Sequence, residues 1–133
     1  MVVVDASVVV DVLAFPDQSQ ELRATLLRHG DLAAPHLIDV EVLSALRRLV
    51  RLGQIGVDRA DDAKYDLAEL PMERCSHELL IDRIWELRDA LNTYDATYLA
   101  LAEAMAIPLI TRDAGLASVA ERMVKVEFFP PSG

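Results

Sequence analysis

Cysteine is almost missing from this chain. Cys75 stands alone, so no disulfide can form within it, and a reducing cytoplasm is the expected compartment. Histidine is scarce as well: His29, His36 and His77 are scattered without ligand spacing, which leaves zinc chemistry without donors. The five glycines are too dispersed to build a loop that cradles phosphates. Long apolar runs are absent, because Met1–Val4 and Val8–Val10 are interrupted by Asp5 and Asp11, and nothing reaches the roughly 20 residues that span a bilayer. No basic start precedes a cleavable apolar stretch, so no signal peptide is expected. A basic excess is lacking too. Thirteen basic against 22 acidic residues give a net charge of −9, which speaks against a protein that coats nucleic acid. It does not exclude an enzyme that grips phosphates through a bound cation, since the cation brings the positive charge. Such a surface also suits a partner with a basic segment.

What the chain does have is apolar content. Hydrophobic residues make up 53% of its 133 positions, enough for one packed core, and a single domain over residues 1–133 is expected. Val2–Val4 is a short β-branched run that suits a strand buried on both faces. Ser7 can cap a helical segment through Leu13. Ser19 to His29 reads as a helix with Leu22, Leu26 and Leu27 on one face and Gly30 at its end. Leu32–Ala34 predicts a very short strand. Leu37 to Leu52 is a long helix ending at Gly53, and Asp58 or Arg59 to Leu70 is another, stopped by Pro71. Pro71–Cys75 is a third short strand. Ser76 then caps a helix from His77 to Leu91, and Thr93 caps one from Tyr94 to Ala106. Ile107–Thr111 is a strand, Asp113 caps a short helix to Met123, and Val124–Phe129 is the last strand. This alternation predicts an α/β fold: a three-layer α/β/α sandwich around a central, mostly parallel sheet of four or five strands.

Four acids fall where such a fold gathers ligands. Asp5 ends the first strand, and Asp113 lies two residues past the Ile107–Thr111 strand. Ligands of open parallel sheets bind at the carboxyl ends of strands, so both point to one rim. Asp95 sits in the first turn of its helix. Glu41 sits at the margin of the apolar stripe Ile38, Val42, Ala45 and Leu49, where a carboxylate is half-buried unless it faces a cation or water. Carboxylates crowded together repel and raise one another's pKa values. A hard divalent ion such as Mg²⁺ or Mn²⁺ relieves that repulsion, prefers oxygen ligands and can act on a phosphodiester. Each acid also has a purely structural use: Asp113 as a helix cap, Asp95 as a complement to a helix dipole, Glu41 at a solvated edge. Asp5 is the hardest to explain so, because a buried strand end rarely carries an acid without use. Arg47, Arg48 and Arg51 form a basic patch that reads as a solvated helix face or as phosphate contacts. Arg112 and Arg48 are the candidate phosphate contacts. Trp85, with Leu87 and Leu91, suits the core or a subunit contact.

Taken together, Val2-Val3-Val4-Asp5-Ala6-Ser7, Pro35 through Glu41 with Leu46-Arg47-Arg48, Thr93 through Ala102, and Leu109-Ile110-Thr111-Arg112-Asp113 resemble the PIN-domain ribonucleases, specifically the VapC-type toxins of bacterial toxin–antitoxin pairs. The segments span nearly the whole chain in the family's order and spacing. The resemblance implies a PIN-like parallel sandwich and a site for Mg²⁺ or Mn²⁺ held by Asp5, Glu41, Asp95 and Asp113, with Ser7 and Thr111 as supporting hydroxyls. It implies an endoribonuclease acting on RNA, a homodimer, and a cognate VapB-like antitoxin that blocks the cleft, with no membrane association. One departure stands out. Gly115 and Leu116 follow Asp113 where many relatives carry another acid or amide, which leaves one or two metals open.

Two other readings compete. A receiver-like phosphoryl-transfer domain would use Asp5 as acceptor, but the two lysines, Lys64 within a helix and Lys125 in the last strand, do not stand at a strand end as that chemistry needs. A catalytically silent PIN-like interaction domain would rest on the missing acid near Gly115.

Overall fold

Five strands and seven α-helices alternate along residues 1–131, the part of the chain that the computed structural model describes. The strands are β1 (Val2–Val4), β2 (Leu32–Pro35), β3 (Met72–Cys75), β4 (Leu109–Thr111) and β5 (Val126–Phe128). The helices are α1 (Ala6–Ala14), α2 (Gln20–His29), α3 (Leu37–Arg51), α4 (Val57–Glu69), α5 (Ile81–Glu86), α6 (Thr93–Met105) and α7 (Ala114–Ala120). All strand pairs are parallel, in the order β3-β2-β1-β4-β5. β1, β2 and β4 are buried along their whole length. Strands covered on both faces cannot alternate apolar and polar residues, which is why Val2-Val3-Val4 and Leu109-Ile110 read as unbroken apolar runs. α1 packs on α3 and α4, while α6 lies against β1 and β2 with α5 and α7 beside it. The α/β/α arrangement expected from the alternation is the one observed. Among the described residues, no helix is long and apolar enough to cross a membrane.

The strand order reverses at β1, whose neighbours are β2 on one side and β4 on the other. Loops leaving β1 and β4 therefore part in opposite directions at the carboxyl edge, and a crevice opens between them. Asp5 and Asp113 follow these two strands.

Three local expectations are corrected. The α1 cap is Asp5, not Ser7: its side chain accepts from the Val8 amide, and Ser7 already lies in the helix. Asn92, not Thr93, caps α6, its Oδ1 accepting from the Asp95 amide at 2.8 Å. The expected His77–Leu91 helix breaks into a 3₁₀ turn (Glu78–Leu80), the short α5 and a run of turns. Leu80, Leu87 and Leu91 are nevertheless buried, and Leu87, Arg88 and Ala90 donate to carbonyls three residues back. Tight i to i−3 turns keep the same side chains inward without a regular α-helix. Trp85 is exposed, with the Arg88 guanidinium 4.7 Å from its ring centroid. Cys75 is half-buried and packs against the edge of the core.

α6 ends on Ala106, which adopts φ 55° and ψ 43°. That left-handed conformation costs an L-residue roughly 1–2 kcal/mol, part of which glycine recovers against its greater freedom when unfolded. Ala106→Gly is expected to stabilise the fold by about 0.5–1 kcal/mol, seen as a higher urea midpoint with unchanged slope.

Candidate functional site

Asp5 leaves β1 with 4% of its surface exposed. Both of its oxygens are claimed. The Ser7 hydroxyl donates to Oδ1 at 2.5 Å, where the Val8 amide also donates at 3.3 Å, and the Thr111 hydroxyl donates to Oδ2 at 2.5 Å. The two hydroxyls also tie β1 to the loop after β4: Ser7 Oγ accepts from the Arg112 amide at 3.1 Å, and Thr111 Oγ1 accepts from the Asp113 amide at 3.0 Å. Asp113 in turn caps α7, accepting from the Leu116 amide at 2.9 Å. One carboxylate thus organises both ends of the crevice, and Ser7 and Thr111 hold it in a single orientation.

Each of the four acids is coupled by charge to at least one of the others. Burial pushes the Asp5 carboxyl up, opposed by its hydrogen bonds, and the charge of Asp113 adds to the rise. Asp95 is pushed up to about 6 by burial first, then by the charges of Asp113 and Asp5, with Asn92 opposing. Glu41 is raised by burial and by the charge of Asp95, while a hydrogen bond from Tyr98 lowers it. α3 brings Glu41 to the crevice and the first turn of α6 brings Asp95. The four acids singled out from the sequence therefore gather in one neighbourhood, coupled through Asp95.

Among the described residues, no three histidine, cysteine or acidic side chains close around one point as a ready-made cage for an ion. The donor set still suits a hard divalent cation. Every candidate donor is a carboxylate oxygen, and burial, with the charges of neighbouring acids, raises Asp5, Glu41 and Asp95 above their ordinary values. An ion that keeps part of its water shell needs only one or two direct carboxylate contacts. Asp5, Asp95, Glu41 and Asp113 are the residues available to hold it.

A groove of about 710 Å³ runs beside the acids, its lining mixing polar residues (Ser7, Glu41, Asp113, Arg48 and Arg112) with apolar ones (Phe15, Leu49 and Leu52). Arg112, expected to reach phosphate, lines this groove and is also paired within the chain. Its guanidinium pairs with Asp11 and donates to the Pro130 carbonyl at 2.7 Å, leaving little of the side chain exposed. It fastens α1 and the segment after β5 to the loop carrying Asp113. Arg48 is exposed on the groove wall.

Sequence reasoning missed Tyr98. Its side chain is 1% exposed, and its hydroxyl donates to Glu41 Oε1 at 2.8 Å. The pairing joins α6 to α3 across 57 residues and holds Glu41 from below. Tyr98 lies three residues after Asp95, hence on the same side of α6, which is the one signal the sequence offered. Tyr98→Phe keeps the ring and deletes the donor to a carboxylate. It is expected to cost about 1–2 kcal/mol in urea unfolding at neutral pH, whereas removal of the whole ring in Tyr98→Ala would cost about 3–5 kcal/mol.

A model of the PIN domain family matches residues 2–122. Ribonuclease VapC1 of Mycobacterium tuberculosis is 43% identical over 117 residues, covering 87% of this chain and 88% of that protein. Among solved structures, PAE2754 from Pyrobaculum aerophilum superposes with a TM-score of 0.69 at 24% identity, over 94% of this chain and 82% of the other. A member of the VapBC family of toxin–antitoxin systems, VapBC-5 from M. tuberculosis, gives a TM-score of 0.52 at 22% identity, over 96% of both chains. At these identities the two structures speak to the fold.

Proposed function

Because the chain belongs to the PIN domain family, and within it resembles the VapC ribonucleases over most of its length, we propose that it is the toxin of a type II toxin–antitoxin pair, an endoribonuclease that hydrolyses RNA phosphodiesters with Mg²⁺ or Mn²⁺. The observation that carries this reading is the set of acids coupled through Asp95 at the carboxyl edge of β1 and β4. When bound, the ion would supply a Lewis acid for the phosphoryl oxygens and lower the pKa of an attacking water.

The chain's own residues would do the rest. Asp5 is held between two hydroxyls, so it contributes a carboxylate already oriented and needing no rearrangement. Glu41 is fixed by Tyr98 at the groove wall, on the side from which RNA would enter. Asp95 and Asp113 complete the negative pocket, and Arg48 offers a guanidinium to a phosphate. Arg112, also in the groove lining, fastens the Asp113 loop through Asp11 and the Pro130 carbonyl.

A VapB-like antitoxin belongs to the same reading. A fold neighbour is a member of a toxin–antitoxin family, and from such a partner the groove's apolar lining would receive an apolar anchor and its acids a basic side chain. A homodimer is proposed through the exposed apolar side of α3, where Val40 and Leu43 face outward.

The test is direct. The purified chain, freed of any partner, is incubated with end-labelled single-stranded RNA and Mg²⁺. Discrete internal cuts are expected, and RNA that stays intact at micromolar protein overturns the proposal.

A further inference from the structure

Asp95 is the acid that senses the other three, yet it is held differently from them. Asp5 lies buried between two hydroxyls, and Glu41 rests on the buried Tyr98. Asp95 is half-buried on the first turn of α6, and among the described residues its carboxylate takes one hydrogen bond, from Asn92 Nδ2 to Oδ2 at 3.3 Å. The Asp95 amide donates to Oδ1 of the same side chain at 2.8 Å. One amide group thus grips Asp95 twice, by its backbone and by its carboxylate. Capping does not require the second contact. In a capping box the acid at the third helical position turns back to the backbone N–H of the cap residue. Asp95 holds that position in a helix that begins at Thr93, but its carboxylate is met by the cap's side chain. Asparagine is the strong cap whose side chain carries an acceptor and separate N–H donors.

The consequence lies in the oxygens that are left. Among the described residues, Glu41, Asp95 and Asp113 each have one carboxylate oxygen engaged by a donor of the chain and one without a partner. Tyr98 donates to Glu41 Oε1, Asn92 to Asp95 Oδ2 and the Leu116 amide to Asp113 Oδ1. A carboxylate tied at one oxygen is restrained in rotation and presents the other as a single donor. We propose that Asn92 is a positioning residue, which ties Oδ2 of Asp95 so that Oδ1 is offered to the divalent ion. The proposal rests on the metal-dependent ribonuclease reading and adds to the site a residue outside the set of acids. Asn92 is a ligand of neither ion nor RNA in this scheme and acts through Asp95. Outer hydrogen-bond partners of metal ligands typically carry about ten- to a hundredfold in metal affinity. For one exposed contact the lower end of that range is expected.

Two substitutions separate this role from capping. Glycine and alanine both delete the donor, but glycine at an N-cap costs a helix little, whereas alanine costs it clearly more. Binding of Mn²⁺ alone to the whole chain, freed of any partner, is followed by titration calorimetry at pH 7, beside urea unfolding. Asn92→Gly and Asn92→Ala are expected to weaken Mn²⁺ binding alike, by about tenfold, although Asn92→Ala lowers the urea midpoint and Asn92→Gly hardly moves it. In an Asp95→Asn background, Asn92→Gly should weaken binding no further, because the group it acts through is gone.

Affinity that falls in step with the urea midpoint, in Asn92→Ala and not in Asn92→Gly, makes Asn92 a cap and overturns the proposal. Wild-type affinity in both variants overturns it too, as does a further loss in the Asp95→Asn background. These failures leave Mn²⁺ binding by the wild type, and with it the ribonuclease reading, in place. A wild type that takes up no Mn²⁺ at millimolar concentration removes both. Mn²⁺ binding that depends on Asn92, in a chain that leaves RNA intact, supports the positioning role and removes the ribonuclease reading.

Discussion

Asp5→Asn should abolish RNA cleavage, by at least about a thousandfold, while leaving the fold as stable as before. The two halves of this expectation come from the same hydrogen bonds. Asparagine keeps an oxygen for the Val8 amide and the Ser7 hydroxyl, so α1 stays capped. Its amide nitrogen then faces Thr111, whose hydroxyl must turn from donor to acceptor, at a cost of about 1 kcal/mol. Against this, a buried charge disappears, and with it the repulsion toward Asp95 and Asp113. The unfolding midpoint should therefore move by less than about 1 kcal/mol in either direction, while the oriented carboxylate that an ion requires is gone. Asp5→Ala is the contrasting variant. It strips the cap from α1 and orphans two hydroxyls, with an expected loss of about 2–3 kcal/mol. Gel-based cleavage and urea unfolding on both variants decide the matter. Full activity in Asp5→Asn would remove Asp5 from the site, and a large loss of stability there would make it a structural residue first.

The reading of the sequence succeeded where a residue's environment is set by its own neighbourhood in the chain. Val2–Val4 and Leu109-Ile110 announced strands covered on both faces, and Asp5 and Asp113 could be assigned to one rim because strand ends in a parallel sheet share an edge. Glu41 at the margin of an apolar helical stripe was also visible, since helix periodicity alone sets that angle. What could not be read was any pairing made by the sheet order. Tyr98 reaches Glu41 only because α6 and α3 are brought together, and nothing local distinguishes its ring from other core aromatics. Arg112 looked like a free cation because its partners, Asp11 and the Pro130 carbonyl, are distant in sequence. The caps were misplaced by one or two residues for a different reason. Asp5 and Ser7, like Asn92 and Thr93, are both competent caps, and only the backbone angles decide between them: Asp5 and Asn92 are extended, whereas the next residues are helical.

The raised acids make a further demand, on stability. A carboxyl whose folded pKa lies above its unfolded value holds its proton more tightly in the native state. The resulting stabilisation is complete below the unfolded pKa and is lost as pH climbs through the folded one. For Asp95 that window runs from 3.8 to about 6, and Asp5 and Glu41 shift in the same direction. Metal-free protein should therefore lose about 2 kcal/mol between pH 4 and pH 7 through Asp95, after allowance for solvent screening. That loss corresponds to a fall of roughly 5–10 °C in Tm. Asp95→Asn removes this titrating group, so the difference in slope between it and the wild type isolates the contribution from that of every other acid. Millimolar Mn²⁺ should reverse the loss at pH 7, where the carboxylates are free to bind it, and do little at pH 4.5, where protons compete. Chelation at pH 7 should then silence cleavage and lower Tm together, because one set of charges underlies both. Thermal scans at the two pH values, with and without Mn²⁺, carry the decision. Equal slopes in wild type and Asp95→Asn, or a Mn²⁺ shift of the same size at both pH values, would mean that the crowding of acids at this edge is not what an ion relieves.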